Sequence, residues 1–396
     1  MNHRKSRSGL SMLLMMAAMT TSAFANSPPP VEKSRFALTT NYLQNAEEGI
    51  YELAWDNRNQ KVFAAVMDRV NRADNKGYLY AFSPDSLAVQ GRYSVPFRAF
   101  SLAMNQDQGQ VYVGHTQAAS LRISAVDAAS GKVLKTSDKL SFRSSSNSAS
   151  PLSEHLRHMV YSKAANTLFI SYSDVLKEGD TTKPIHKLLK LDGTSLKHTG
   201  EVENAWPDNA YGLAFDEKTQ KIYVGGKDYV NEIDAVKSQV LRTIAIKDAK
   251  PKITSVQSLT VDSESNRIFV VVFEHGEHGK KPTSKDDGLY VFDLRDGKQL
   301  GYVRTGAGAN AVKYNPKYNE VYVTNFSAGT LSVVDAKAYS VIKEIPMPVF
   351  PNQMALSADF DTLYVGVKEG FSRQWNPNEF VAGAKERILS VSLNES

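Results

Sequence analysis

The chain contains no cysteine. That excludes a disulfide framework, thiolate-ligated zinc, a cysteine nucleophile and covalently attached c-type haem. No uninterrupted apolar run reaches the roughly 20 residues that a membrane-spanning helix needs. Catalytic signatures are missing as well: there is no G-x-S-x-G elbow, no H-E-x-x-H, no Walker A loop and no Rossmann glycine fingerprint. What remains is an ordinary globular composition, 42% hydrophobic and 22% charged over 396 residues. Such a chain lies far from the polar, highly charged compositions that stay unfolded.

The first 25 residues read as a targeting segment. Arg4, Lys5 and Arg7 open it, Leu10 to Met19 is a short apolar run, and Ala23-Phe24-Ala25 supplies the small-x-small pattern of a cleavage site. The reading predicts a secretory signal peptide cut after Ala25, a periplasmic destination, and one domain over 26–396. Removing that segment leaves 44 basic against 42 acidic residues, a net charge of +2. Bulk charge therefore gives no support to nucleic-acid binding, which must rest on local patches.

The rest of the chain repeats itself seven times. Each copy has an apolar-alternating segment, a short polar turn, a Val-Tyr-Val-like strand, a third strand ending in Asp, and a fourth strand. With the first apolar residue of the second strand as anchor, the copies fall at Val62, Val111, Leu168, Ile222, Ile268, Val321 and Leu363. The spacing of about 42 to 57 residues is that of a four-stranded propeller blade with some long loops. Nine residues before each anchor stands Leu53, Leu102, Met159, Leu213, Leu259, Val312 or Met354, and two further on Trp55, Met104, Tyr161, Phe215, Val261, Tyr314 or Leu356. That period-2 alternation marks a strand. The residues between, Ala54, Ala103, Val160, Ala214, Thr260, Lys313 and Ala355, are mostly small, as fits strands converging on an axis.

Short polar residues follow at Asp56, Asn105, Ser162, Asp216, Asp262, Asn315 and Ser357, and the third strands end at Asp127, Asp192, Asp234, Asp293 and Asp335. Such side chains bond their own backbone, so both sets read as turn formers rather than catalytic acids. The seventh copy ends with Arg387 to Leu393, too soon for a fourth strand. Arg35 to Thr40 is predicted to complete it. The expected fold is all-β: a seven-bladed β-propeller closed by an N-terminal strand.

The segment Tyr322-Val323-Thr324-Asn325, with Leu331 to Lys337 and Asn352 to Asp359 after it, resembles the YVTN-repeat family of secreted seven-bladed propellers. The resemblance implies a periplasmic propeller with no established enzymatic activity. It also implies a binding module, with DNA as one proposed ligand. The chain departs from the compact family pattern in five long polar insertions, Met67 to Lys76, Thr136 to Ser153, Ser173 to Pro184, Phe273 to Asp287 and Lys368 to Glu386. All five are read as loops, and long loops on a rigid ring commonly carry function.

The innermost strands begin at the mouth of the central channel. The candidate ligand residues there are Tyr51, Glu52, Phe100, Arg157, His158, Tyr211, Gln257, Asn310 and Asn352, with Arg98 and Lys313 as nearby positive charge. Aromatic faces stack on bases, amides donate and accept, and arginine grips oxyanions. His275 and His278, in Glu274-His275-Gly276-Glu277-His278, have metal-ligand chemistry, although the glycines beside them favour a solvated loop. His155 and His158 fall on opposite strand faces and are not expected to share a ligand.

The leading function is a non-catalytic periplasmic binding propeller, monomeric and without cofactor, holding single-stranded DNA or an envelope protein. Two alternatives stay open. One is a metal-dependent lactonase- or lyase-type propeller enzyme in which Glu52, Asn310 and Asn352 hold a dication, with His158 nearby. The other is a protein–protein scaffold of the cell envelope.

Overall fold

The computed structural model describes residues 34–394 apart from segments 69–74, 117–120, 141–153, 207–210, 247–253, 275–286, 349 and 370–382. The described residues form 28 strands and no helix. They assemble into seven four-stranded antiparallel sheets, each running from an inner to an outer strand. The inner strands are Glu48–Asp56, Ala99–Asn105, His155–Ser162, Leu213–Asp216, Thr254–Asp262, Ala309–Asn315 and Pro351–Leu356. We number the blades 1 to 7 in that order.

The apolar columns carry the fold. Trp55 pairs with Val62, Met104 with Val111, Tyr161 with Leu168, Phe215 with Ile222, Val261 with Ile268, Tyr314 with Val321 and Leu356 with Leu363. One hairpin register thus recurs in every blade, and all seven anchors are fully buried. Each such side chain contributes about 1.5–3 kcal/mol when removed from water. The core lies between blades as much as within them. Phe63 and Ala65 of blade 1 pack with Val111 and Val113 of blade 2, and Phe169 of blade 3 packs with Ile222 and Val224 of blade 4.

The polar columns hold turns. Asp56 accepts from the Arg58 amide at 2.9 Å, Asp216 from Lys218 at 3.1 Å and Asn315 from Lys317 at 3.0 Å. Asp127, Asp234 and Asp335 do the same at the third-strand ends, each at 2.8 Å from an amide three residues on. Hydrogen bonds from Ser130 to Asp127, and from the amides of Ala338 and Lys337 to Asp335, hold those carboxyls below their usual range.

The ring closes as expected. Strand Leu38–Tyr42 pairs with Arg387–Ser392 in the order 38–42, 387–392, 362–367, 351–356 from the outside in. Its start lies three residues later than the sequence suggested, because Phe36 sits at φ +68° in a turn. Arg35 is used differently: its Nη2 grips both oxygens of Glu320 at 2.5 and 2.6 Å, and its Nε donates to the Leu393 carbonyl at 2.9 Å.

One insertion is not a loop. Ser173 to Pro184 lies within a long hairpin, Thr167–Glu178 against Thr181–Asp192, paired without interruption as far as Glu178 and Thr181. Gly179 turns it at φ +63°. The Gly179-Asp180 pair is a two-residue hairpin signal inside what otherwise reads as polar loop.

Candidate functional site

At the channel mouth the inner strands are irregular in the same place. In blade 1 pairing runs from Ile50–Val66 to Leu53–Ala64, so Tyr51 and Glu52 stand opposite one residue. The same slip leaves Phe100 extra in blade 2, Arg157 and His158 against one partner in blade 3, Gln257 extra in blade 5, Asn310 extra in blade 6, and Asn352 with Gln353 against one partner in blade 7. Blade 4 reaches a similar result without a bulge. Its strand starts at Leu213, and the amides of Tyr211 and Gly212 donate to the Val256 carbonyl of blade 5 at 3.3 and 3.0 Å. A bulge leaves a residue outside the ladder and re-aims its side chain. All nine candidate residues stand at or beside these irregularities, and all are half-buried.

The contacts divide them into two arcs. On blades 1 to 4 lies an aromatic and cationic arc. The Tyr51 and Phe100 rings meet with centroids 4.6 Å apart, His155 lies 6.2 Å beyond Phe100, and the Arg157 guanidinium covers the Tyr211 ring at 4.4 Å. On blades 5 to 7 lie the amides. Asn310 Nδ2 donates to Asn352 Oδ1 at 2.7 Å, and Gln257 donates to the Ser255 hydroxyl. One contact reaches past a blade: His158 Nδ1 lies 3.0 Å from Glu52 Oε2, joining blade 3 to blade 1. On the intervening blade 2, the short Ser101 side chain is fully buried against Gly114, where an added Cβ would lie 2.2 Å from its oxygen. His155 turns elsewhere, to Thr116 Oγ1 at 2.8 Å, so the two histidines do not share a partner.

The expected extra charge is placed unequally. Arg98 is 2% exposed, with Nη2 3.0 Å from Met67 Sδ, and offers nothing to the surface. Lys313 is half-buried at the small-residue level of the inner strands. Burial lowers its ammonium pKa, and the Glu52 carboxylate opposes that shift.

The sequence missed Lys368. Its Nζ lies 3.3 Å from the Tyr51 ring centre, donates to the Ile50 carbonyl at 2.7 Å and pairs with Glu386 Oε2 at 3.3 Å. Glu386 in turn accepts the Ile50 amide at 2.5 Å. These two residues end the last long insertion, and their meeting has no signature in spacing.

Beside Arg157 and Tyr211 the long hairpin of blade 3 makes a cavity of about 220 Å³. Ser173, Asp174, Val175, Pro184 and His186 line it, all absent from the sequence-based candidates. Burial, and secondarily the Arg157 charge, lowers the His186 imidazole to about 4. His275 and His278 lie outside the described residues. Among the described residues, no three His, Asp or Glu side chains gather as metal ligands do.

Comparison with known proteins places this geometry in context. The chain is 31% identical over 330 residues to the protein YncE of Salmonella typhi, covering 83% of this chain and 85% of that one. It is 29% identical over 329 residues to YncE of Escherichia coli K12, with the same coverage. No family model matches. Among solved structures, a chain of the mitotic checkpoint complex superposes with a TM-score of 0.61 at 15% identity, covering 96% of this chain and 98% of that one. Hydrazine synthase of Kuenenia stuttgartiensis superposes at 0.58 and 10% identity, covering 83% and 94%. At such identities these two share the fold alone.

Proposed function

The chain belongs to the YncE family of propellers, and from that membership we propose that it is an exported, non-catalytic binding module that holds single-stranded DNA on its channel-mouth face. The observation that carries the reading is the arc in which the Tyr51–Phe100 ring pair stands beside the Arg157–Tyr211 pair. Bases of any identity stack on aromatic and guanidinium faces, each stack contributing about 1–3 kcal/mol, while the guanidinium also meets phosphate oxygens. The amide arc of Gln257, Asn310 and Asn352 adds donors and acceptors without charge. Export follows from the amino-terminal segment, with the protein reaching the periplasm cut after Ala25 and working as a monomer.

The test is fluorescence anisotropy of a labelled single-stranded oligonucleotide. Phe100→Ala and Arg157→Ala are each expected to weaken binding roughly tenfold, and added salt to weaken it further. Binding indifferent to both substitutions and to salt would overturn the reading. Intact mass of the periplasmic fraction tests the cleavage point.

The metal-dependent enzyme reading has less support. Its donors are already engaged with one another in two pairs, Glu52 with His158 and Asn310 with Asn352. A stoichiometric metal in purified protein, lost in Glu52→Gln, would revive it.

A further inference from the structure

Lys313 is out of place in its column. Along the inner strands its position is alanine in four blades, Val160 in blade 3 and Thr260 in blade 5. In every blade the residue paired with it on the second strand is a buried Phe or Tyr, and Lys313 is paired with Tyr322. This level of the channel therefore carries methyl groups backed by rings, and Lys313 brings the one charge in the column. The backbone around it is fixed. The amides on either side, Val312 and Tyr314, donate to Ser258 Oγ and Thr260 Oγ1 of blade 5, each at 3.3 Å. Among the described residues the amine makes no hydrogen bond and no ion pair, and its Nζ stays within reach of water. The charge that acts on it is Glu52 of blade 1, reaching past blade 7, which sets the amine over the channel rather than in a seam. Glu52 is itself engaged by His158 at 3.0 Å. An ammonium placed this way loses hydration that no partner restores, so burial lowers its pKa against the pull of Glu52. Desolvated lysine amines are the ones that attack carbonyl groups.

We propose that Lys313 is a covalent capture site for small uncharged aldehydes, held in the channel as an imine. The neutral amine adds to the aldehyde carbon, and a proton moves from nitrogen to oxygen to give a carbinolamine. The hydroxyl then leaves with the remaining nitrogen proton as water, and the C=N bond forms. Aldehyde and amine thus give imine and water, with nothing oxidised or reduced. The surroundings select the class. Methyl groups suit an aliphatic chain, and Glu52 disfavours a ligand that brings its own carboxylate. The site goes beyond the channel-mouth reading and does not rest on it.

The experiment treats the purified protein with propanal and cyanoborohydride, which reduces an imine to a stable secondary amine. Peptide mass spectrometry then follows each labelled position over time. Lys313 is expected to be labelled at least about threefold faster than the exposed Lys132, Lys337 and Lys343. Glyoxylate, an aldehyde that carries a carboxylate, should lower that preference at least about threefold. Without reductant, propanal labelled at its carbonyl carbon should give an imine resonance that Lys313→Arg removes, since arginine keeps the charge and lacks the nucleophile. The two labelling comparisons need no variant, so they stand even if Lys313→Arg fails to fold. Labelling of Lys313 no faster than of the exposed lysines, an equal preference with both aldehydes, or an imine resonance that persists in folded Lys313→Arg overturns the proposal.

Discussion

His115 is enclosed on every side. Its Nδ1 lies 3.1 Å from the Phe97 carbonyl and its Nε2 2.8 Å from Ser124 Oγ, and none of the residue is exposed. Burial lowers its pKa from 6.5 to about 3, and nearby Arg122 pushes the same way. In the unfolded chain the ring returns to its ordinary value. Between those two values the unfolded state binds the proton and the folded state does not, so stability is complete above pH 6.5 and is lost as pH falls toward 3. His186 contributes with the same sign. The unfolding free energy from urea titration should therefore fall between pH 7 and pH 5, by up to about 1.4 kcal/mol per pH unit for each such histidine. His115→Gln should flatten that slope, and an unchanged slope would show that His115 titrates while folded. Nothing in the sequence near His115 marks it as buried: its strand neighbours Tyr112 to Gly114 fit any blade, and the Ser124 that fixes it comes from the next strand.

At the scale of elements, the seams between blades are the sensitive places. An added Cβ on Gly77, which opens the third strand of blade 1, would lie 2.0 Å from the Phe97 carbonyl oxygen and 2.6 Å from the Ala99 amide of blade 2. Both are backbone atoms and cannot swing aside. Gly77→Ala should cost about 1–3 kcal/mol, read as a lower denaturation midpoint. The closing strand is a second such place. Deleting residues 26–42 removes five cross-strand pairings and the Arg35–Glu320 grip, and should lower the melting temperature by roughly 5 °C or more. An unchanged melting temperature would mean the closure adds no stability. The strand columns were legible because the hairpin from Trp55 to Val62 has the same length in all seven copies. The bulges were not, for a related reason. They recur at one place in nearly every copy, so gap-free spacing passes through them unaltered, and only the pairing registers reveal that Tyr51, Arg157 and Asn352 leave the ladder. The Ser173 to Pro184 hairpin was hidden by its polar composition. Towards its tip Lys177, Gly179, Asp180, Thr181, Lys183 and Pro184 are all exposed, so the alternation that announces a half-buried strand is absent there.

The whole molecule is a ring in which the amino-terminal and carboxy-terminal strands share one sheet. Each blade buries its faces against two neighbours, and Tyr112 Oη reaches the Gly193 carbonyl of the next blade at 2.8 Å just as Tyr364 Oη reaches Pro84 across the closure at 3.3 Å. An open solenoid unravels from its ends, where a repeat has one neighbour. A closed ring has no such end, so losing one blade exposes two apolar faces and the remainder is left worse than either intact or unfolded chain. That argues for one cooperative transition over residues 26–396. Trp55 stacks on Tyr364 at the seam of blades 7 and 1, and Trp206 is buried at the seam of blades 3 and 4, its Nε1 on the Gly225 carbonyl at 2.7 Å. The chain has 3 tryptophans, so in Trp55→Phe and Trp206→Phe variants that also carry Trp375→Phe a single tryptophan gives the fluorescence signal. If the ring opens as one unit, each variant's fluorescence midpoint should coincide with its own far-ultraviolet circular dichroism midpoint. Fluorescence and circular dichroism midpoints that separate within either variant would instead mean that the half holding the remaining tryptophan melts on its own, and the chain would then be two folding units joined in a circle.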